Sequence, residues 1–464
     1  MLFAIISIKG SMTMYATKTL KEKIKLLLII LIPILITQVS MYAMNFFDTI
    51  MSGRAGASEL AGVAIGSSLW VPVSTGINGI LMAMSPIVAH YIGAQEENKI
   101  QFSVQQGIYL AIILGVIVSA IGYFLIDPIL NLMDLEPQVR HVAKYYLISL
   151  GFGIIPMFIY NLLRCYIDGL GQTRTSMVIV LIALPINIIL NYIFIFGKLG
   201  VPAMGGIGAG IATAITFFIN MTLSIIIVHR VAPFRTHYIF RNWKKINLGE
   251  WVQQLRIGVP IGFSIFFEVS IFAAVTLLLS AYGTNTLAAH QAANSFASLL
   301  YMIPLSIAMS LTIAVGYEVG AKRMKDAKTY AYTGIVSGVF VSLFAGSIIY
   351  LLDTQVAGLY SNNPAVIELT KNFLYFAIFF QFADGIAAPI QGILRGYKDV
   401  NITFWMALIS YWAIGLPSGF ILANYTSMDA YGYWMGLIIG LTVGAITLFS
   451  RMYYLQRRLE KQLS

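Results

Sequence analysis

A single cysteine in 464 residues excludes an internal disulfide, and Cys165, beside Arg164 in an apolar stretch, reads as a structural thiol and not a redox centre. Charge is nearly as scarce. Asp, Glu, Lys and Arg make up 10% of the chain against 58% apolar residues, the inverse of what keeps a soluble domain in solution. The histidines (His90, His141, His229, His237 and His290) form no HExxH or paired metal spacing, and no Ser-His-Asp or phosphate-loop pattern stands on a plausible scaffold. The stretches between apolar runs are too short for a soluble catalytic domain, so no enzyme and no cofactor is expected. With no nucleotide-binding motif, transport would draw on an ion gradient and not on ATP. The opening MLFAIISIKGSM lacks a basic start and a cleavage site, so it is not expected to be a signal peptide, and Met12 or Met14 could begin the functional chain.

What is present is apolar length. Twelve stretches of about 20 residues match the ~30 Å hydrocarbon core. They centre near Ile34, Val73, Ile113, Phe152, Ile186, Phe217, Phe267, Leu300, Val341, Phe380, Ile409 and Leu441. The net charge of +10 could suggest nucleic acid, but the basic residues alternate between the two faces of the predicted bundle. Of the 29 Lys and Arg, all but Arg54, Arg140, Lys144, Lys198 and Lys371 fall on the face of the N-terminus. By the positive-inside rule both termini are cytoplasmic, in a multi-pass protein of the cell membrane that binds no nucleic acid.

The chain also repeats itself. Residues 33–94 overlay 260–321 without a gap at an offset of 227, with Pro33 on Pro260, Gly56 on Gly283, Met82 on Met309 and Gly93 on Gly320. LRCYID (163–168) overlays LRGYKD (394–399) at 231, which implies a four-residue insertion in the second half. Six helices per half return the chain to one side, so the halves should be parallel repeats about an axis normal to the membrane. The fold expected is an all-α polytopic membrane protein of twelve transmembrane helices in two pseudo-symmetric six-helix lobes. Its parts are an N-terminal tail (1–22), an N-lobe (23–229), a basic cytoplasmic linker (230–250), a C-lobe (251–455) and a C-terminal tail (456–464). The linker charge is expected to set topology and meet anionic lipid, with partner binding the alternative. Pro33 and Pro260 predict kinks.

Three carboxylates lie within the spans, Asp48, Glu268 and Asp384, and Glu268 is the only ionisable side chain between 257 and 281. An acidic group at a helix centre costs about 2.5–3.5 kcal/mol to insert, so such groups face a partner, a cavity or the protein interior. Helical spacing puts Ser264, Glu268 and Thr276 on one face, Gln381, Asp384 and Gln391 on another, and Gln291, Asn294, Ser298 and Tyr301 on a third; Asn187 and Asn191 stand one turn apart. Helix-to-helix hydrogen bonding explains any one of these amides and hydroxyls equally well. An interfacial cap is the alternative role for Asp48, and His290 reads as a satisfied polar residue of the packing.

Several stretches together resemble the multidrug and toxic compound extrusion (MATE) family, in its NorM-like branch: NFFDTIMSG (45–53), SPIVAHYIGA (85–94), GVPIGFSIFFEVSIF (258–272), AHQAANSFAS (289–298), ILRGYKD (393–399) and YWAIGLPSG (411–419). The resemblance implies a monomeric antiporter of two lobes that alternately opens inward and outward and expels small organic cations in exchange for Na+ or H+. It assigns Glu268 and Asp384 to a second-lobe cation site able to hold Na+, with Tyr301 and Gln291 in ion or substrate contact. Asp48, Asn187, Asn191 and Thr213 would form a first-lobe polar pocket, and Ser68 would line the cavity. Two positions depart from the pattern. Phe380 stands where some NorM-like members carry a tyrosine, and Asn191 where other branches carry an aspartate, which moves coupling toward the second lobe. The alternatives are a lipid-linked oligosaccharide flippase of the same superfamily, which would want basic residues in its cavity where none is read in the spans, or a non-transporting membrane receptor or scaffold.

Overall fold

The computed structural model of the protein describes residues 14–463, and among them twelve helical segments are long and apolar enough to cross a membrane. They are α1 (Leu20–Ala55), α2 (Ala57–Gly93), α3 (Asn98–Leu132), α4 (Pro137–Gly169), α5 (Thr173–Phe196) and α6 (Gly205–Arg230), then α7 (Leu248–Tyr282), α8 (Thr284–Gly320), α9 (Met324–Leu351), α10 (Pro364–Gly396), α11 (Asn401–Tyr425) and α12 (Tyr431–Lys461). At about 1.5 Å per residue each exceeds the hydrocarbon thickness. The tail residues 1–13, with Lys9 and Met12, lie outside the described residues.

The repeat is more regular than the sequence overlay suggests. Both α4 and α10 are 33 residues long, open on a proline, and end at Gly169 and Gly396, still at the offset of 227. Their caps match bond for bond. Leu170, Gly171 and Gln172 donate to the carbonyls of Tyr166, Asp168 and Ile167, as Tyr397, Lys398 and Asp399 do to Ile393, Arg395 and Leu394. Ser85 Oγ donates to the Cys165 carbonyl at 3.1 Å, and Thr312 Oγ1 to that of Gly392 at 3.0 Å, again 227 apart. The left-handed residues repeat too, Gln95 with Lys322 (both φ 59°) and Gly171 (φ 78°) with Lys398 (φ 60°). There is therefore no four-residue insertion before this point. The LRCYID and LRGYKD overlay is one helical turn out of structural register.

The chain divides into two compact units. The first contains Ile36–Gly258, and the second contains Ala16–Leu35 together with the chain from Val259 onward. Both α1 and α7 thus change unit along their length, within three residues of Pro33 and Pro260. In the second unit, the start of α1 is tied down by buried Lys23, whose Nζ meets Asp326 at 2.8 Å and donates to the carbonyl and hydroxyl of Thr17, each at 2.9 Å. In the first unit, the start of α7 bonds to α3, where the Ser103 hydroxyl donates to the Glu250 carboxylate and Gln254 Nε2 to the Ser103 carbonyl at 2.9 Å.

The basic linker also belongs to the first unit, and three glutamines of α3 hold its backbone. Gln101 donates to the Tyr238 and Arg241 carbonyls, Gln105 to those of Ile239 and Arg241, and Gln106 to that of Lys245. The amides of Lys244 and Asn247 return bonds to Gln105 and Gln106. Because the bonds use main chain, Arg241, Lys244 and Lys245 stay exposed. Within the second unit, α8 and α10 touch at backbone distance, since a Cβ on Gly392 would stand 2.1 Å from the Ala308 carbonyl oxygen.

Candidate ion and substrate sites

In the first unit, Asp48 is buried on α1 and held by neutral donors alone among its hydrogen bonds. Asn191 Nδ2 of α5 donates to Oδ1, and Thr213 Oγ1 of α6 to Oδ2 at 3.0 Å. Asn191 Nδ2 also donates to Asn187 Oδ1 at 3.2 Å, and Asn187 Nδ2 to Thr216 Oγ1 at 3.3 Å. Since α1 continues to Ala55, Asp48 is not a helix cap but the centre of a three-helix polar cluster. Asn191 is effective here because its amide donates; an ionised aspartate could not. Ser68 stands apart, exposed, its hydroxyl returned to the Ile65 carbonyl at 2.8 Å.

In the second unit, Tyr301 of α8 donates its hydroxyl to Glu268 Oε1 of α7 at 3.2 Å. Asp384, 3% exposed on α10, has Glu268 as its charged neighbour. Gln381, one turn earlier, donates to the Ala297 carbonyl at 2.7 Å and joins α10 to α8. Phe380 is buried against Phe272 and Trp434, with centroids 5.6 and 6.4 Å away, so an aromatic wall occupies the position where a tyrosine would add a hydroxyl. Gln291 is exposed near the start of α8.

Sequence reasoning missed two residues of this site. Arg395, 4% exposed in the last turn of α10, interacts electrostatically with Glu268 and Tyr301. Tyr411 lies in a stretch of π-helix, Leu408–Gly415, an irregularity frequent at functional sites. Its buried hydroxyl has no hydrogen-bond partner, and both acidic residues are its charged neighbours. The available signal was Tyr411 opening the YWAIGLPSG stretch. The expectation of spans free of basic residues also gives way, because Arg164 and Arg395 are both buried in them. Each has an acidic neighbour, Asp168 for Arg164 and Glu268 for Arg395.

His290 shows how the second unit closes around its polar groups. The Trp434 indole, a donor only, donates to Nδ1 at 3.0 Å, while Thr276 Oγ1 lies 2.9 Å from Nε2 and spends its own proton on the Phe272 carbonyl at 2.8 Å. The ring is therefore the Nε2–H tautomer, donating to Thr276. Among the described residues no cluster of three or more His, Cys, Asp and Glu could hold a metal ion. Any cation at Glu268 and Asp384 would complete its shell from hydroxyls, amides or water.

Two long polytopic units built by duplication, each with a buried carboxylate cluster, match known proteins throughout. The MatE family model matches residues 33–193 and again 260–421, beginning both times at the repeated proline. A probable multidrug resistance protein NorM of Oceanobacillus iheyensis is 60% identical over 96% of this chain and 100% of its own. One of the same name from Bacillus subtilis is 52% identical over 96% and 98%. Among solved structures, the outward-facing form of a multidrug resistance MATE family transporter superposes with a TM-score of 0.86 at 20% identity, over 94% of this chain and 96% of that one. The eukaryotic MATE transporter AtDTX14 does so with a TM-score of 0.85 at 21% identity, over 96% and 99%. The chain belongs to the MATE family. It is a multi-pass membrane protein with the twelve-helix fold of that family.

Proposed function

We propose that the protein is a secondary active multidrug efflux antiporter that expels small organic cations in exchange for Na+ or H+ by alternating access. It works as a monomer in the cell membrane, with both termini cytoplasmic and lobes divided at residues 230–250. The observation that carries this reading is the Glu268–Tyr301 hydrogen bond with Asp384 beside it: a half-buried and a buried carboxylate on different helices share one site, which suits a cation. A carboxylate in an apolar interior resists an uncompensated charge, so Na+, a proton and a cationic drug compete for it. Competition that differs between inward and outward states links the two fluxes. Glu268, Asp384 and Tyr301 hold the coupling ion. Asp48, with Asn187, Asn191 and Thr213, holds the charge of the drug, and Ser68 and Gln291 line its path.

The oligosaccharide flippase reading requires free basic side chains for a pyrophosphate. Arg164 and Arg395 each have an acidic neighbour, which argues against that role. The test is efflux of a cationic dye from proteoliposomes under separately imposed Na+ and pH gradients. One gradient should drive the wild type, and Glu268→Gln and Asp384→Asn should each reduce its rate at least tenfold. Near-normal gradient-driven efflux by Glu268→Gln would overturn the assignment.

A further inference from the structure

The corrected repeat register exposes a rearrangement of charge. Positions 41, 164 and 168 in the first unit correspond to 268, 391 and 395 in the second, all at 227. They read Met, Arg, Asp in one copy and Glu, Gln, Arg in the other. Each triplet sums to zero. In the first unit the anion and cation share α4, and position 41 is a thioether that Arg164 Nη1 meets at 3.3 Å. In the second, the cation has moved one turn along α10 and the anion has crossed to α7, so the balancing pair spans two helices. Asp384 corresponds to Met157 and is an added charge.

Arg395 is equipped to move between partners. Its Nη2 donates to Gln391 Oε1 at 3.4 Å, a long bond to a neutral acceptor, and its buried Nε has no partner. No bidentate carboxylate locks the guanidinium, unlike Arg451, whose Nε and Nη2 both donate to Asp399 at 2.7 and 3.2 Å. A buried arginine so loosely held, within electrostatic reach of Glu268 but not in ion-pair contact with it, is a charge in reserve.

We propose that Arg395 is the resident counter-charge of the Glu268–Asp384 site, balancing one carboxylate so that a single monovalent cation completes neutrality, and closing on Glu268 when that cation leaves. This rests on reading the site as the coupling-ion site. Arg395 is then a positioning residue that sets how tightly the ion is held and how readily it departs.

The test is dye efflux by reconstituted protein as the concentration of the driving cation, Na+ or protons, is varied, alongside thermal melting in detergent. In Arg395→Gln two uncompensated carboxylates grip the cation, so its half-saturating concentration should fall about tenfold while the maximal rate also falls. Arg395→Lys, which keeps the charge, should restore most of both. A lower maximal rate with unchanged half-saturation would mean a merely structural role and would overturn the proposal. In melting, Glu268→Gln strands a buried cation and should lower Tm, and the double variant Glu268→Gln/Arg395→Gln should regain most of that loss. Additive losses would overturn it as well. If neither gradient drives the wild type, the coupling-site reading fails, while the melting comparison still decides whether Glu268 and Arg395 compensate each other.

Discussion

At the scale of single residues, the two carboxylate clusters differ in how their bonds are satisfied. Asp48 accepts from Asn191 and Thr213, so Asn191→Leu should leave Oδ1 without its donor and cost about 1–3 kcal/mol in thermal melts. Trp434→Phe should cost a similar amount, because it strands His290 Nδ1 in a dry pocket. The opposite holds for Tyr411, whose hydroxyl bonds nothing. Tyr411→Phe should leave stability within about 0.5 kcal/mol of wild type in thermal melts, whereas dye efflux should need more of the driving ion if that hydroxyl completes its shell. Asp48, Glu268 and Asp384 were legible in the sequence because a charge in an apolar run is costly and conspicuous. Arg395 was not, since a basic residue near a helix end is indistinguishable from a topological charge until burial is known. Ser68 came through the resemblance alone and Gln291 also through the polar face of its helix, and their local bonding tests neither role.

At the scale of elements, helix number and the centre of each span were readable, but register was not. A shift of four residues in a helix of 3.6 residues per turn returns nearly the same face, so a short motif such as LRxY can slide one turn and still look aligned. The caps settle the matter because left-handed residues cannot slide. They also carry strain where the residue is not glycine. Lys322 is exposed at φ 59°, so Lys322→Gly should raise stability by about 0.5–1 kcal/mol, measured as a shift in Tm. The linker offers a pH test. Burial holds the His237 imidazole below the usual histidine range, although Glu97, 3.5 Å from Nε2, partly offsets the effect, and Tyr166 meets Nδ1 at 2.7 Å. A depressed histidine contributes stability that is fully present above its ordinary pKa of about 6.5 and lost as pH falls through the lower folded value. Protection factors of the amides across residues 234–245 should therefore fall as pH drops below the ordinary histidine pKa of about 6.5, and His237→Gln should flatten that dependence.

At the scale of the whole molecule, the repeat predicted six helices per half, while compactness assigns the opening segment of each half to the other unit. Periodicity and hydropathy describe each helix by itself and say nothing about which neighbours it keeps. Chains 1–240 and 241–464, made separately, should each be degraded quickly by protease, and made together they should protect one another.

The exchange of opening segments bears on how such a chain could arise. A polypeptide with one copy of the repeat would have an orphan arm and an unfilled seat, and a second identical molecule would supply both. The ancestor would then have been an obligate arm-swapped homodimer, folded only above its dissociation concentration. Gene fusion through a segment like 230–247 would turn that bimolecular step into an intramolecular one at a tether-set effective concentration of millimolar order. Once tethered, the two seats need no longer be identical, a freedom under which one copy can carry methionine where the other carries Glu268.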